Sequence, residues 1–220
     1  YIYNKMRPKA FYVEDYAIYE KALKSLDLPN DTIIIAAKNA KNNPNVISLD
    51  DFENSVPNTK KFPDDIKISP ETIARIFFTS GSTGWPKGVI KTHHMMCSNL
   101  SVGESIWTRD QLAPRRVISW MPWNHTMAGT VMFNQTLRCG GTYYLDDGRP
   151  ITRQTYSKTI KNLADVKPDF IADAPLGLAY LAEAFEENKE LAKEILANVK
   201  FIIYAGAALP NDLWQRLQNV

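Results

Sequence analysis

Apolar and polar positions alternate along this chain in two rhythms. Short apolar or β-branched runs read as strands at Ala10–Val13, Thr32–Ile35, Ile73–Phe78, Val117–Met121, Thr142–Leu145, Phe170–Ala172 and Phe201–Tyr204. Between them apolar residues recur at helical spacing. These stretches are Asp15–Leu26, residues 93–107 with Met96, Leu100, Gly103 and Trp107 on one face, residues 126–138, and a face of Tyr156, Ile160 and Leu163. Residues 176–186 and 189–198 follow, then a last helix from Pro210 with Leu213, Leu217 and Val220 on one side. Punctuation fits the pattern. Pro122 stops a strand, Gly140-Gly141 closes a helix, and Asp146-Asp147-Gly148 reads as a turn. Ser48–Glu53 reads as a short capped helix. Lys38–Asn45 is expected to be a connection, and residues 54–69, with Pro57 and Pro63, a surface loop or junction. Repeated strand–helix alternation predicts an α/β fold with a largely parallel sheet flanked by helices.

Composition narrows the class. A chain of 220 residues can hold one or two domains and bury a sizeable core. Hydrophobic content of 45% and charge content of 23% are those of a soluble globular protein. A net charge of +2, with basic pairs such as Lys60-Lys61 and Arg115-Arg116 scattered, gives no case for nucleic acid or an anionic membrane as partner. No apolar run approaches the roughly 20 residues that span a bilayer, and no signal peptide opens the chain. Cys97 and Cys139 read as two unlinked thiols in a reducing, cytoplasmic setting, with no metal site expected. The chain starts with Tyr1 and stops within or just after its last helix, so missing parts are expected at both ends.

The candidate chemistry lies at residues 79–88, Thr-Ser-Gly-Ser-Thr-Gly-Trp-Pro-Lys-Gly. The segment follows an apolar strand and precedes a helix-like stretch from His93, and is read as a strand-to-helix loop. Its glycines let the backbone approach an anion without a Cβ clash. Successive N–H groups can form a concave anion site. Thr79, Ser80, Ser82 and Thr83 add hydroxyls, and Lys87 adds a positive charge. The alternative is a polar Ser/Gly turn. The Walker spacing fails, because Lys87 follows Pro86 and precedes Gly88; the dinucleotide spacing fails, because Gly81 and Gly84 stand three apart.

Two further segments stand out. In Met121-Pro122-Trp123-Asn124-His125-Thr126-Met127-Ala128-Gly129, a histidine ends the turn before a helix and can be a structural cap. In Tyr204-Ala205-Gly206-Ala207-Ala208-Leu209-Pro210, small residues after a strand make either a tight strand-to-helix turn or a surface a flat ring can approach. His93 and His94 are adjacent on a helix and do not face one another, so packing is expected of them and not metal binding.

Thr79 to Gly88 resembles the phosphate loop of the adenylate-forming superfamily, which contains acyl-CoA synthetases, luciferases and peptide-synthetase adenylation domains. The match covers all ten positions, with Trp85 at the variable one. Within that group, Trp123-Asn124-His125-Thr126, Leu145-Asp146-Asp147-Gly148-Arg149-Pro150 and Tyr204–Pro210 look like feruloyl-CoA synthetases, which activate hydroxycinnamic acids. The resemblance runs from about residue 72 to the end. It implies part of the large N-terminal domain of such an enzyme, with residues 1–70 a leading α/β part and 71–220 a nucleotide- and acyl-binding core.

The reaction it implies is ATP-dependent: a carboxylate becomes an acyl-adenylate, and the thiol of coenzyme A then displaces AMP. ATP and Mg2+ are the implied cofactors, with CoA as co-substrate and a small carboxylate of aromatic type as partner. Thr79, Ser80, Gly81, Ser82, Thr83, Gly84 and Lys87 would hold the triphosphate, Lys87 and His125 would serve the chemistry, and Gly206, Ala207 and Ala208 would border the adenine. Ala205 and Ala208 stand where many members have Gly and Pro, so the adenine contacts depart from the family pattern. A Tyr-Gly-x-Thr-Glu segment, a ribose-binding Asp and a catalytic Lys on a C-terminal lid domain are also implied. None follows Val220, and the expectation is a fragment that is inactive alone. The competing expectations are a non-catalytic nucleotide- or acyl-binding module and an adenylation domain that loads a carrier protein.

Overall fold

The chain divides into two units, residues 1–68 and 69–220. The computed structural model describes residues 1–40, 43–55, 67–79, 84–106 and 116–220. The first unit contains α1 (Ile2–Met6), β1 (Ala10–Asp15), α2 (Tyr16–Lys24), β2 (Ile33–Lys38), β3 (Val46–Ser48) and α3 (Leu49–Ser55). Its strands form a parallel sheet in the order β1-β2-β3. Asp15 ends β1 and caps α2, accepting from the Ala17 N–H at 2.9 Å. Ser48 caps α3 in the same way, accepting from the Asp51 N–H at 3.0 Å. Ile34 and Ala36 alternate inward from β2 and bury against Tyr16 and Leu23, seven apart on α2.

The second unit opens with β4 (Ile73–Thr79), β5 (Lys87–Thr92) and α4 (His93–Ile106). Next come β6 (Arg116–Ser119), a π-helical segment (Met127–Met132), α5 (Phe133–Arg138), β7 (Thr142–Leu145) and α6 (Arg153–Val166). The unit ends with β8 (Phe170–Asp173), α7 (Pro175–Glu187), α8 (Lys189–Leu196), β9 (Phe201–Tyr204) and α9 (Asn211–Gln218). β6 pairs in parallel with β7, and β8 with β9. β6 and β8 lie side by side in the same sense. At their starts the Arg116 N–H donates to the Asp169 carboxylate at 2.7 Å and the Asp169 N–H to the Arg116 carbonyl at 3.1 Å. At their ends the Trp120 indole meets Asp173.

The helices start where the sequence supplies caps. Thr152 and Thr155 form a reciprocal capping box on α6, Pro175 opens α7, and the Asn188 side chain caps α8 by accepting from the Leu191 N–H at 3.0 Å. Every residue of β8 is buried, as in a parallel strand covered on both faces. The core of the unit joins Ile118 and Ile171 to Tyr156 and Leu163 on α6, Leu178, Leu181 and Phe185 on α7, Ile195 on α8 and Leu213 on α9.

The expected α/β class and parallel pairing hold, with one exception that matters. The segment 79–88 does not join a strand to a helix. β4 and β5 are antiparallel, in register from Phe77↔Val89 to Thr79↔Lys87, so Thr79, Lys87 and Gly88 belong to the paired strands of a β-hairpin. The cause is legible afterwards. Lys87-Gly-Val-Ile-Lys-Thr is a β-branched run, and it finds apolar partners opposite, Ile76 for Ile90 and Phe77 for Val89. Pro86, with no N–H to give, stands just before the strand begins. Two smaller differences also appear. The strand expected over 117–121 ends at Ser119, and the helix expected over 126–138 starts as a π-helix. Trp107 and most of the expected loop at 54–69 lie outside the described residues.

Candidate functional site

The hairpin fixes two of the expected phosphate-loop residues. Thr79 and Lys87 are directly opposed in the last register pair before the connection, and both are exposed. Opposed residues of an antiparallel pair share a face, with Cβ atoms roughly 4.5–5.5 Å apart. A hydroxyl and an ammonium therefore stand side by side at the mouth of the loop. Gly84 has φ +96°, a conformation that L side chains rarely adopt, and a Cβ there would meet nothing within 4 Å. Ser80, Gly81, Ser82 and Thr83 lie outside the described residues. His93 and His94 open α4, a full strand beyond the loop.

His125 stands on the turn between β6 and the π-helix, with its ring exposed. Its Nδ1 accepts the Met127 N–H at 3.2 Å, and its own N–H donates to the Pro122 carbonyl at 2.9 Å. An Nδ1 that accepts carries no proton, so the neutral ring holds its proton at Nε2. The turn is braced from within. Trp123 packs on Phe133, with ring centroids 4.9 Å apart, and on Tyr143 at 5.9 Å. A Cβ on Gly129 would run into the Trp123 carbonyl, so only glycine lets the π-helix pass this close. π-helical turns are uncommon and concentrate at functional sites.

Arg75 ties this turn to the hairpin. It lies on β4, its guanidinium donates to the Gly129 carbonyl, and it sits 6.0 Å from the centroid of Phe133. The strand that carries Thr79 is thereby joined to the π-helix that follows His125. A lone charge in an otherwise apolar strand was the available signal for Arg75, and the strand pattern alone gave no reason to use it.

Asp173 occupies the C-terminal end of β8 and is 3% exposed. It accepts from the Tyr156 hydroxyl at 2.6 Å, the Trp120 indole N–H at 3.1 Å and the Ala174 N–H at 2.7 Å. Burial raises its carboxyl to about 6, although all three hydrogen bonds favour the ionised form. Burial also raises the Tyr156 phenol, and the Asp173 charge adds to this. Trp120 directly precedes the turn that bears His125, so Asp173 anchors the root of that turn. A charged residue closing an apolar run was the sequence signal for Asp173.

The segment Ala205–Ala208 leaves β9 at the same edge, its first N–H donating to the Asp173 carbonyl at 3.2 Å. Gly206 has φ +93°, and Gly206, Ala207 and Ala208 are all exposed. The His125 turn, Asp173 and this segment thus follow the C-terminal ends of neighbouring parallel strands, where open α/β sheets form their ligand crevices. Among the described residues no group of three or more His, Cys, Asp or Glu could hold a metal ion, and no helix is long and apolar enough to cross a membrane.

Comparison with known proteins agrees with this layout. The chain is 28% identical over 159 residues to a long-chain-fatty-acid–CoA ligase of Bacillus subtilis (strain 168), a stretch that covers 70% of this chain and 26% of the ligase. Its fold superposes on a luciferase-like enzyme from the nonluminescent mealworm Zophobas morio with TM-score 0.77 at 18% identity, covering 99% of this chain and 47% of that one. It also superposes on the AMPPNP-bound nonribosomal peptide synthetase FmoA3, with TM-score 0.68 at 19% identity, covering 99% of this chain and 20% of the synthetase. The chain therefore spans about a quarter of the curated ligase and under half of the luciferase-like enzyme. The AMP-binding enzyme family matches residues 1–220, and the chain belongs to this family of adenylate-forming enzymes.

Proposed function

We propose that this chain is the phosphate- and acyl-binding part of an ATP-dependent acid–CoA ligase that activates a hydroxycinnamate-type carboxylate. The observation that carries the reading is the segment Thr79–Gly88, intact at all ten positions within a chain of the AMP-binding family. The CoA ligase of Bacillus subtilis among its relatives favours CoA as acceptor. The aromatic acid rests on the segments at residues 123–126, 145–150 and 204–210. Turnover is proposed for a chain of its relatives' length, and a cytoplasmic location goes with the substrates.

In this reading the hairpin mouth receives the triphosphate. Lys87 and Thr79, on one face, meet two phosphate oxygens, and the positive φ of Gly84 turns the backbone without a side chain in the way. Ser80, Gly81, Ser82 and Thr83 complete the cradle by resemblance. His125, with its proton at Nε2, borders the substrate carboxylate as a donor. Such placed donors act by offsetting charge as it develops on the transferring group. Gly206, Ala207 and Ala208 leave a flat, uncluttered surface for the adenine. Magnesium would neutralise phosphate charge, but the described residues of this chain offer no cluster to hold it, and no residue is assigned to that ion.

A second reading, an adenylation domain that loads a carrier protein, is favoured by the likeness to a peptide synthetase. ATP–pyrophosphate exchange with ferulate, a long-chain fatty acid and a set of amino acids separates the two, run on this chain and on the longest form of the protein. Ferulate-dependent exchange followed by a CoA thioester is the expected result. Exchange with amino acids alone, or with no thioester formed, supports the carrier reading. Nucleotide binding without exchange in the longest form supports a non-catalytic module and overturns both.

A further inference from the structure

Among the described residues, Thr130 Oγ1, Asp146 Oδ2 and Thr159 Oγ1 are buried without a hydrogen-bond partner. Buried polar atoms are nearly always satisfied by protein or by ordered water. Two of these atoms belong to residues in the wall of one small cavity. It lies between the C-terminal ends of β6 and β8, the turn after β7 and helix α6, and its lining includes Ser119, Trp120, Asp146, Thr159 and Asp173.

We propose that this cavity holds one buried water molecule, which donates to Asp146 Oδ2 and pairs with Thr159 Oγ1. Its volume of about 10 Å³ is that of a single water site, which needs on the order of 10–15 Å³ and two to four polar partners. The chemistry of the wall matches. Asp146 Oδ2 only accepts, whereas the Thr159 hydroxyl both donates and accepts. Ser119 Oγ accepts the Met121 N–H at 3.1 Å and hydrogen-bonds the Tyr143 hydroxyl, so the water relies on Asp146 and Thr159. A cation fits poorly, since both Asp173 oxygens already receive protein donors and too few oxygens remain to form a coordination shell.

The water completes a clamp whose other half is visible. Asp146 Oδ1 accepts from Asn162 of α6 at 2.7 Å and from the Gly148 N–H at 2.9 Å. A Cβ on Gly148 would collide with Thr159, so the turn already lies hard against α6. The water bonds the second carboxylate oxygen to the same helix, and the Asp146–Gly148 turn is held from both sides.

A crystal structure of the 220-residue chain, at a resolution that shows ordered water, tests the proposal. The expected result is one peak within hydrogen-bond reach of Asp146 and Thr159. A dry cavity overturns the proposal, as does an anomalous peak there after a rubidium soak, which would mark a cation site. Oxygen-17 magnetic relaxation dispersion gives an independent readout in solution. Thr159→Val, which replaces the hydroxyl with a methyl of similar size, is expected to lose one long-lived water relative to the wild type, while Thr159→Ser keeps it. An unchanged count in folded Thr159→Val overturns the assignment.

Discussion

Replacing Asp173 with Asn turns the buried carboxyl into a measurable pH signature. In the folded chain this group titrates at about 6 against an ordinary value of 3.8, with burial the leading cause. Below both values it is protonated whether the chain is folded or not, and its contribution to stability is at its most favourable. As the pH rises through about 6 the folded form must ionise a group that is 3% exposed, and that contribution is lost. Moving a carboxyl from 3.8 to about 6 corresponds to about 3 kcal/mol. Asn does not titrate. Its oxygen can keep the bonds from Trp120 and Ala174, and its amide can donate to the Tyr156 oxygen. Lys158 and Asn162 beside Asp147, and Arg216 beside Glu186, lower those exposed carboxyls, whose contributions run the opposite way and are lost as pH falls. Those groups are present in both proteins and cancel in the difference. Urea unfolding followed by circular dichroism from about pH 3 to about pH 7.5 should show Asp173→Asn gaining about 3 kcal/mol relative to wild type across that range. A constant offset between the two curves would refute the argument, whatever its size.

Three further outcomes are expected. Gly177→Ala drives a Cβ into the Asp173 carboxylate and should cost about 1–3 kcal/mol, read as a lowered thermal midpoint; an unchanged midpoint would mean that α7 has room to shift. His125→Ala removes the acceptor for the Met127 N–H and should destabilise by about 1 kcal/mol in denaturant unfolding. His125→Asn, which keeps an acceptor, should recover most of that stability but not adenylation if the ring also borders the substrate. Arg75→Ala releases the Gly129 carbonyl and should cost about 1.5–3 kcal/mol, with Lys a partial rescue; equal stability of Ala and wild type in urea unfolding would show that the contact carries no weight.

The strands were legible because their apolar runs are short, β-branched and bounded by breakers. Phe170–Asp173 and Phe201–Tyr204 fell within a residue of the expected ends for that reason. Helix starts were legible where a capping side chain or proline stood in line, as at Pro175 and Ser48. The hairpin was not, because Lys87–Thr92 becomes a strand only with Ile76, Phe77 and Phe78 beside it, and pairing is a property of two segments. The π-helix was hidden for a similar reason. Its apolar spacing is that of an ordinary helix, and the distinguishing contact, Gly129 against the Trp123 carbonyl, joins residues by close packing.

By itself the sequence determined the α/β class and the family, because both rest on local order: alternating apolar runs, and ten consecutive residues of a phosphate-loop pattern. Only the tertiary structure decided that this pattern sits on a hairpin with Thr79 beside Lys87, that Arg75 joins the hairpin to the turn of His125, and that Asp173 anchors that turn through Trp120. Arg75 and Gly129, like Trp120 and Asp173, are more than fifty positions apart, and folding alone brings them within hydrogen-bond reach. A single charge in an apolar strand carries no meaning in the sequence until the carbonyl or indole that faces it is known.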